Sequence, residues 1–235
     1  VGYSCILFGD AVRKAGGQRY FSLERNPEFA AVISSLVDLA GLSDVVKVIV
    51  GSSDESIARL HSAGALNHID LMFLDHYKPA YTTDLKLCEE LKLVTPGSVL
   101  AADNVIKPGN PPYLEYVRST VEEKRKKVAD GGKGGSVEGF AERNVKQYAK
   151  RQGEEKFAQS AGNPNLVYKS ELVNSYEPTG VPVCSPTKEV RYELTRFRMA
   201  LRLQGVLARR SRQSLWYASG VVIDEKQIGL IVMTG

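Results

Sequence analysis

The chain has 235 residues, 43% of them hydrophobic and 25% charged, which suits one α/β domain with a substantial core and excludes a disordered or fibrous chain. No stretch approaches the roughly 20 apolar residues that a membrane span requires, and Val1-Gly2-Tyr3-Ser4 has neither the basic region nor the apolar core of a secretory signal. The net charge of +4 is uneven: nine Lys/Arg against four Asp/Glu from Cys184 onward leave residues 1–183 at −1, so the body carries no electrostatic footprint for a nucleic-acid partner.

In chain order, Gly2 to Ala15 reads as a loop entering a helix, and Arg19 to Glu24 (RYFSLE) as a short strand ending in a carboxylate. Pro27 suits the first turn of a helix that carries apolar residues to Ala40 and stops at Gly41. Val45 to Val50 is a second strand, Ser53 to Leu60 a helix, and Ile69 to Leu74 a near-continuous apolar strand of the kind buried on both faces of a parallel sheet. Leu85 to Leu93 reads as a helix and Ser98 to Ala102 as another buried strand. This alternation predicts a doubly wound α/β sheet.

Residues 121–165 differ, with the charge run Glu122-Glu123-Lys124-Arg125-Lys126-Lys127 and then GGKGG; by composition they form a flexible insertion or an exposed helix. Strand-like text resumes at Leu166 to Val173. After Pro182 the arginine-rich stretch shows no clear α/β period. The division expected is a domain over 1–183, with an insertion at about 121–165, and a basic, poorly ordered tail over 184–235. Cys5, Cys88 and Cys184 are widely spaced, which argues against a disulfide framework or zinc cage and suits a reducing, cytoplasmic setting.

Ligands of open α/β sheets bind beyond the carboxyl ends of the strands. Glu24 lies at such an end and could accept both hydroxyls of a ribose; the plainer reading is a solvated or helix-capping glutamate. Ser53 and Asp54 follow the second strand and could reach an adenine edge, or simply cap the next helix. Two later motifs say more. FLDHYK (Phe73 to Lys78) and LAADN (Leu100 to Asn104) each place an acid directly after a buried strand. Asp75, Asp103 and Asn104 would converge as three oxygen donors, a set that suits Mg²⁺; capping of the next turn by each Asp is the competing reading. Lys78 beside a dication would lose basicity and serve as a general base; otherwise it is a surface lysine. His61 and His68 have no evident partners, and His76 alone would be read as a packing residue.

Taken together, this text resembles the catechol O-methyltransferase family, and more closely its fungal branch. The likeness runs through Gly2-Tyr3-Ser4, FSLERNPEFA, VIVGSSDE, FLDHYK, LAADNVIKPG, Tyr113-Leu114 and Val117-Arg118, and resumes at GNPNLVYKS and EPTGVP. It implies a Rossmann-like class I methyltransferase fold with a mostly parallel sheet and S-adenosylmethionine lying across the strand ends. By position, Glu24 would hold the ribose, Ser53 and Asp54 the adenine, and Gly2 and Ser4 the methionine end, with Asp75, His76 and Tyr77 lining the cofactor site. Asp75, Asp103 and Asn104 would ligate Mg²⁺, Lys78 would take a proton from a catechol substrate, and Glu177, or Glu171, would bind its second hydroxyl beside Asn104. A monomer is expected, with no membrane partner.

The resemblance also implies a central strand ending in E-L-G-x-Y ahead of Gly2, which this sequence does not contain, so a sheet incomplete at its N-terminus is expected. Three other readings follow: an inactive truncated relative that does not bind cofactor; a nicotinamide-dependent oxidoreductase built around Glu24, although no G-x-G-x-x-G is present; and an RNA-modifying methyltransferase using the basic tail.

Overall fold

The computed structural model describes residues 1–131, 139–152, 159–175, 190–196 and 229–234. Helix α1 (Tyr3–Lys14) leads into β1 (Arg19–Glu24), α2 (Pro27–Leu39), β2 (Val46–Val50), α3 (Ser53–Ser62), β3 (Leu71–Asp75), α4 (Ala80–Glu90) and β4 (Val99–Ala102). A π turn (Val105–Gly109) precedes α5 (Pro111–Arg118), α6 (Val121–Ala129) and α7 (Glu142–Gln152), followed by β5 (Lys169–Ser175), β6 (Val190–Arg196) and β7 (Gly229–Thr234). The strands form one sheet in the order β2-β1-β7-β3-β4-β6-β5. The first five in that order run parallel; β6 is antiparallel to both β4 and β5. This is the expected Rossmann-like, mostly parallel α/β fold.

Alternation along β3 divides the core between the two faces of the sheet. Leu71 and Phe73 pack with Cys5, Val12, Ile33 and Val37 of α1 and α2. Met72 and Leu74 pack with Ile57, Tyr81, Leu85 and Tyr113 of α3, α4 and α5. With Leu71 to Leu74 buried on both sides of the sheet, LMFL has no polar face to show, which is why it reads as an unbroken apolar run ahead of Asp75. Local chemistry sets the boundaries: Asn26 caps α2 by accepting from Glu28 N (2.8 Å) and Phe29 N (3.3 Å), with Pro27 in its first turn. Gly9 is needed because a Cβ there would stand 2.6 Å from Val46 Cγ2, so α1 could not lie this close to the sheet. Helix α4 begins five residues earlier than its apolar spacing suggests, since the buried Ala80, Tyr81, Thr83 and Asp84 extend its inner face.

The place between β1 and β3, where the resemblance puts the strand ahead of Gly2, is taken by β7. Its register sets Phe21 opposite Ile231 on one side and Phe73 opposite Val232 on the other. The apolar run Gly229-Leu230-Ile231-Val232-Met233-Thr234 has the composition that a central parallel strand requires.

The charge run after Thr120 forms α6, started by a capping box between Thr120 and Glu123. One member departs from an exposed helix. Lys124 is 2% exposed; its Nζ donates to Leu166 O (3.0 Å) and sits over the rings of Tyr116 and Tyr168. Those two phenols donate to Glu89, on α4, which also accepts from Asn163 N (2.8 Å). This buried polar knot fastens residues 160–168 to the domain. No helix among the described residues is long and apolar enough to cross a membrane.

Candidate functional site

Parallel register brings the strand ends to one rim. Glu24 stands opposite Val50 and Thr234, Asp75 opposite Thr234, and Leu74 opposite Ala102. Just beyond β4, Asp103 N donates to Leu74 O (2.9 Å), which brings the two acids of the rim together. Burial first, and then the charge of Asp75, push the Asp103 carboxyl up to about 7, opposed by the nearby Lys78. Asp103 Oδ1 is buried without a hydrogen-bond partner among the described residues. Asn104 follows with φ 56°, a left-handed conformation that asparagine tolerates, and its carbonyl accepts from Gly109 N (3.1 Å) across the π turn. No three His, Cys, Asp or Glu side chains gather at a metal-binding spacing among the described residues. The donors at this rim are two carboxylates and an amide.

Lys78 is 8% exposed, not a surface lysine. Its Nζ donates to Tyr81 Oη (2.6 Å) and lies 3.7 Å from Asp75 Oδ1, while Tyr81 Oη reaches Asp103 O at 3.4 Å. Burial pulls the ammonium below its ordinary value, and Asp75 and Asp103 push it back. The sequence suggested loss of basicity beside a dication; desolvation supplies it directly. The backbone is held as well. Asn110, 0% exposed, donates from Nδ2 to Lys78 O (2.7 Å) and accepts from Tyr113 N at the start of α5. The loops after β3 and β4 are thereby tied to each other.

The other expected cofactor residues lie along the same rim. Glu24 is 4% exposed and accepts from Asn26 N (2.8 Å), so its carboxylate has a local partner while Asn26 does the capping. Ser53 is the first residue of α3, but its hydroxyl does not cap the helix; it donates to Asp84 Oδ2 (2.6 Å). Asp54 sits beside it, half-buried in the first turn. His76 stacks on Tyr81, with ring centroids 4.9 Å apart, and its Nε2 lies 2.8 Å from the same Asp84 oxygen. Tyr77 meets Tyr148 of α7 edge-on at 5.4 Å, so the charged segment reaches the site with an aromatic side chain. Gly2 precedes α1 with φ 84°, and a Cβ there would stand 2.9 Å from Leu36 Cδ1. Arg13, at the other end of α1, bonds Gly41 O and Asp44 near the strand starts, which directs the Gly2–Ser4 end toward the carboxyl rim.

Glu177 lies outside the described residues, as does Cys184. Glu171 is exposed on β5, the edge strand two places from β4. Glu193 of β6, which sequence reasoning passed over, stands opposite Ala102, next to Asp103 in register. A signal was there: VRYELTR alternates Val190, Tyr192 and Leu194 with polar residues at strand period. Asp84 was missed as well, and nothing in the helical text around it marks it.

Residues 1–105 match the family described as Methyltransferase domain. A catechol O-methyltransferase of Bos taurus is 45% identical over 117 residues, which are 50% of this chain and 42% of the relative. One of Sus scrofa is 41% identical over 117 residues, 50% of this chain and 62% of the relative. The chain thus spans about half the length of the curated relatives it matches. A solved O-methyltransferase of Bacillus cereus, in complex with SAH, is 14% identical with a TM-score of 0.42, over 83% of this chain and 81% of that one. Through its first half, this chain is similar to class I methyltransferases of the catechol O-methyltransferase type.

Proposed function

We propose that the chain transfers a methyl group from S-adenosylmethionine to one hydroxyl of a catechol-type vicinal diol, in a Mg²⁺-dependent reaction. The observation that carries this reading is the buried, unpartnered Asp103 Oδ1 beside Asp75 and Asn104. A close carboxylate pair with an orphaned oxygen is poorly stable alone and well suited to a hard divalent cation. Bound there, the ion would offset the two negative charges and acidify a diol hydroxyl. Lys78 would take that hydroxyl's proton at Nζ, a role supported by its burial, its lowered basicity and its bond to Tyr81. When bound, S-adenosylmethionine would supply the methyl group from its sulfonium, and Lys78 would hold the proton that the diol hydroxyl gives up.

The residues along the rim would hold the cofactor. Glu24 takes the ribose hydroxyls, Ser53 and Asp54 face the adenine edge, His76 and Tyr77 wall the pocket, and Gly2 and Ser4 receive the methionine end. Holding the nucleophile in line with the methyl would supply much of the acceleration. Glu193, opposite Ala102, joins Glu177 as a candidate for the second diol hydroxyl.

Calorimetric titration with S-adenosylmethionine at saturating Mg²⁺, followed by mass-spectrometric detection of a methylated catechol, tests the reading. Binding and turnover are expected. No binding would favour the relative that has lost its cofactor, and binding with turnover of RNA instead of catechol would favour the RNA-modifying alternative.

A further inference from the structure

One carboxylate that the proposed reaction does not use sits at the hub of the cofactor side. Asp84 is 2% exposed on the inner face of α4, and two groups from separate elements converge on its Oδ2: Ser53 Oγ of α3 at 2.6 Å and His76 Nε2 of the loop after β3 at 2.8 Å. A carboxylate only accepts, so both groups must donate. The serine hydroxyl has spent its one hydrogen, and what it can offer a ligand is lone pairs. A neutral imidazole bonded in this way carries its hydrogen on Nε2 and presents Nδ1 as an acceptor. That Nδ1 is buried, on a side chain 8% exposed, and has no hydrogen-bond partner among the described residues. An unpaired buried acceptor is a standing penalty that a ligand N–H could relieve.

We propose that Asp84 is a positioning residue that sets the hydrogen-bond polarity of Ser53 and His76, making both acceptors and so selecting a purine with a 6-amino group. This rests on the reading of the rim as an S-adenosylmethionine site. Adenine presents two N–H donors from its exocyclic amine. Hypoxanthine puts a carbonyl oxygen in the same place, where it would face lone pairs. A bare hydrophobic pocket would scarcely separate the two; a pocket with its donors already spent must.

The test compares S-adenosylhomocysteine with S-inosylhomocysteine by calorimetry, on the full chain and on its D84L variant. Both donors converge on one oxygen of Asp84, and leucine keeps much of the volume while offering no acceptor, so the Ser53 hydroxyl and the His76 imidazole are freed to turn a hydrogen toward the ligand. The unaltered chain is expected to prefer the adenosyl compound by at least about tenfold, the size of one mismatched buried hydrogen bond. D84L should weaken adenosyl binding by about tenfold and bring the two ligands within about threefold of each other. A D84L chain that folds and keeps the original preference would overturn the assignment while leaving the cofactor site standing. If the unaltered chain binds neither compound, the cofactor reading falls and the assignment with it.

A second measurement does not depend on the variant folding. The chain has three histidines, so long-range ¹H–¹⁵N correlation spectra, assigned with H61Q and H68Q, can identify the His76 tautomer directly. Hydrogen on Nε2 is expected; hydrogen on Nδ1 would overturn the proposal.

Discussion

Glu89 and Asp103 are both carboxylates withdrawn from solvent in the same domain, yet their surroundings are opposites. Glu89 is 2% exposed and surrounded by donors: Tyr116 Oη at 2.5 Å, the Tyr168 phenol and Asn163 N, with Lys124 close by. Burial raises its pKa, and every one of those neighbours pulls it back. Asp103 has a second carboxylate as its neighbour and, among the described residues, one oxygen with nothing to bond. A buried acid that the fold has satisfied is there to hold the fold together. One left unsatisfied, at a strand end, has the character expected of a ligand-binding group.

Four substitutions would break or sharpen that contrast. The largest effect is expected from Lys78→Met, which should lower the methyl-transfer rate by about 10²–10⁴-fold while leaving the melting temperature unchanged or raised, because a buried ammonium is removed. Single-turnover kinetics alongside thermal melts would check it, and a rate within a few fold of the starting value would remove Lys78 from the chemistry. Next, Glu89→Ala should destabilise by about 3 kcal/mol in urea titrations, since it strands two phenols and a backbone N–H. Cofactor affinity in the folded fraction should not change, which is how a satisfied acid differs from a waiting one.

Asp103→Asn should do the reverse. In chelator, the unaltered chain gains stability from a proton that the folded state holds more tightly than the unfolded one. That contribution is full below the unfolded carboxyl's ordinary value near 3.8 and is lost as pH rises toward about 7. The variant should lose this pH dependence, gain roughly 1–3 kcal/mol at pH 8 in the absence of metal, and lose thermal protection by Mg²⁺. If Mg²⁺ still protects it equally, the ion binds elsewhere. The smallest effect belongs to Asn26→Ala, which removes the α2 cap at about 1 kcal/mol and, by freeing the backbone beside Glu24, should weaken cofactor binding slightly.

How much of this was legible in the sequence depended on range. Elements whose residues answer mainly to their immediate neighbours were readable: RYFSLE matches β1 residue for residue, Pro27 and Ser53 mark the starts of α2 and α3, and the run Ile69 to Leu74 overlaps β3 over Leu71 to Leu74. The rim acids were readable because each follows a buried strand directly. Lys124 was not, because a run of six charges reads as solvated and only a tertiary contact with Tyr116 and Tyr168 pulls one of them inward. Asp84 was hidden for the same reason: its partners lie 31 and 8 residues away on other elements. β7 was hidden most completely, since the short run Leu230 to Met233 after a basic stretch carries no sign of which strands it will join.

That central strand has a consequence for how the domain assembles. Arg19 pairs with Gly229 and Leu71 with Leu230, so the middle of the sheet is closed by contacts spanning nearly the whole sequence. Contacts of such high order form slowly. During synthesis β1 and β3 emerge long before their shared neighbour, and for that interval each shows an unpaired parallel edge rich in Phe, Leu and Met. Such edges invite pairing with other chains. Two nearly finished halves of the sheet must therefore be kept apart from other copies of the chain until β7 arrives between them.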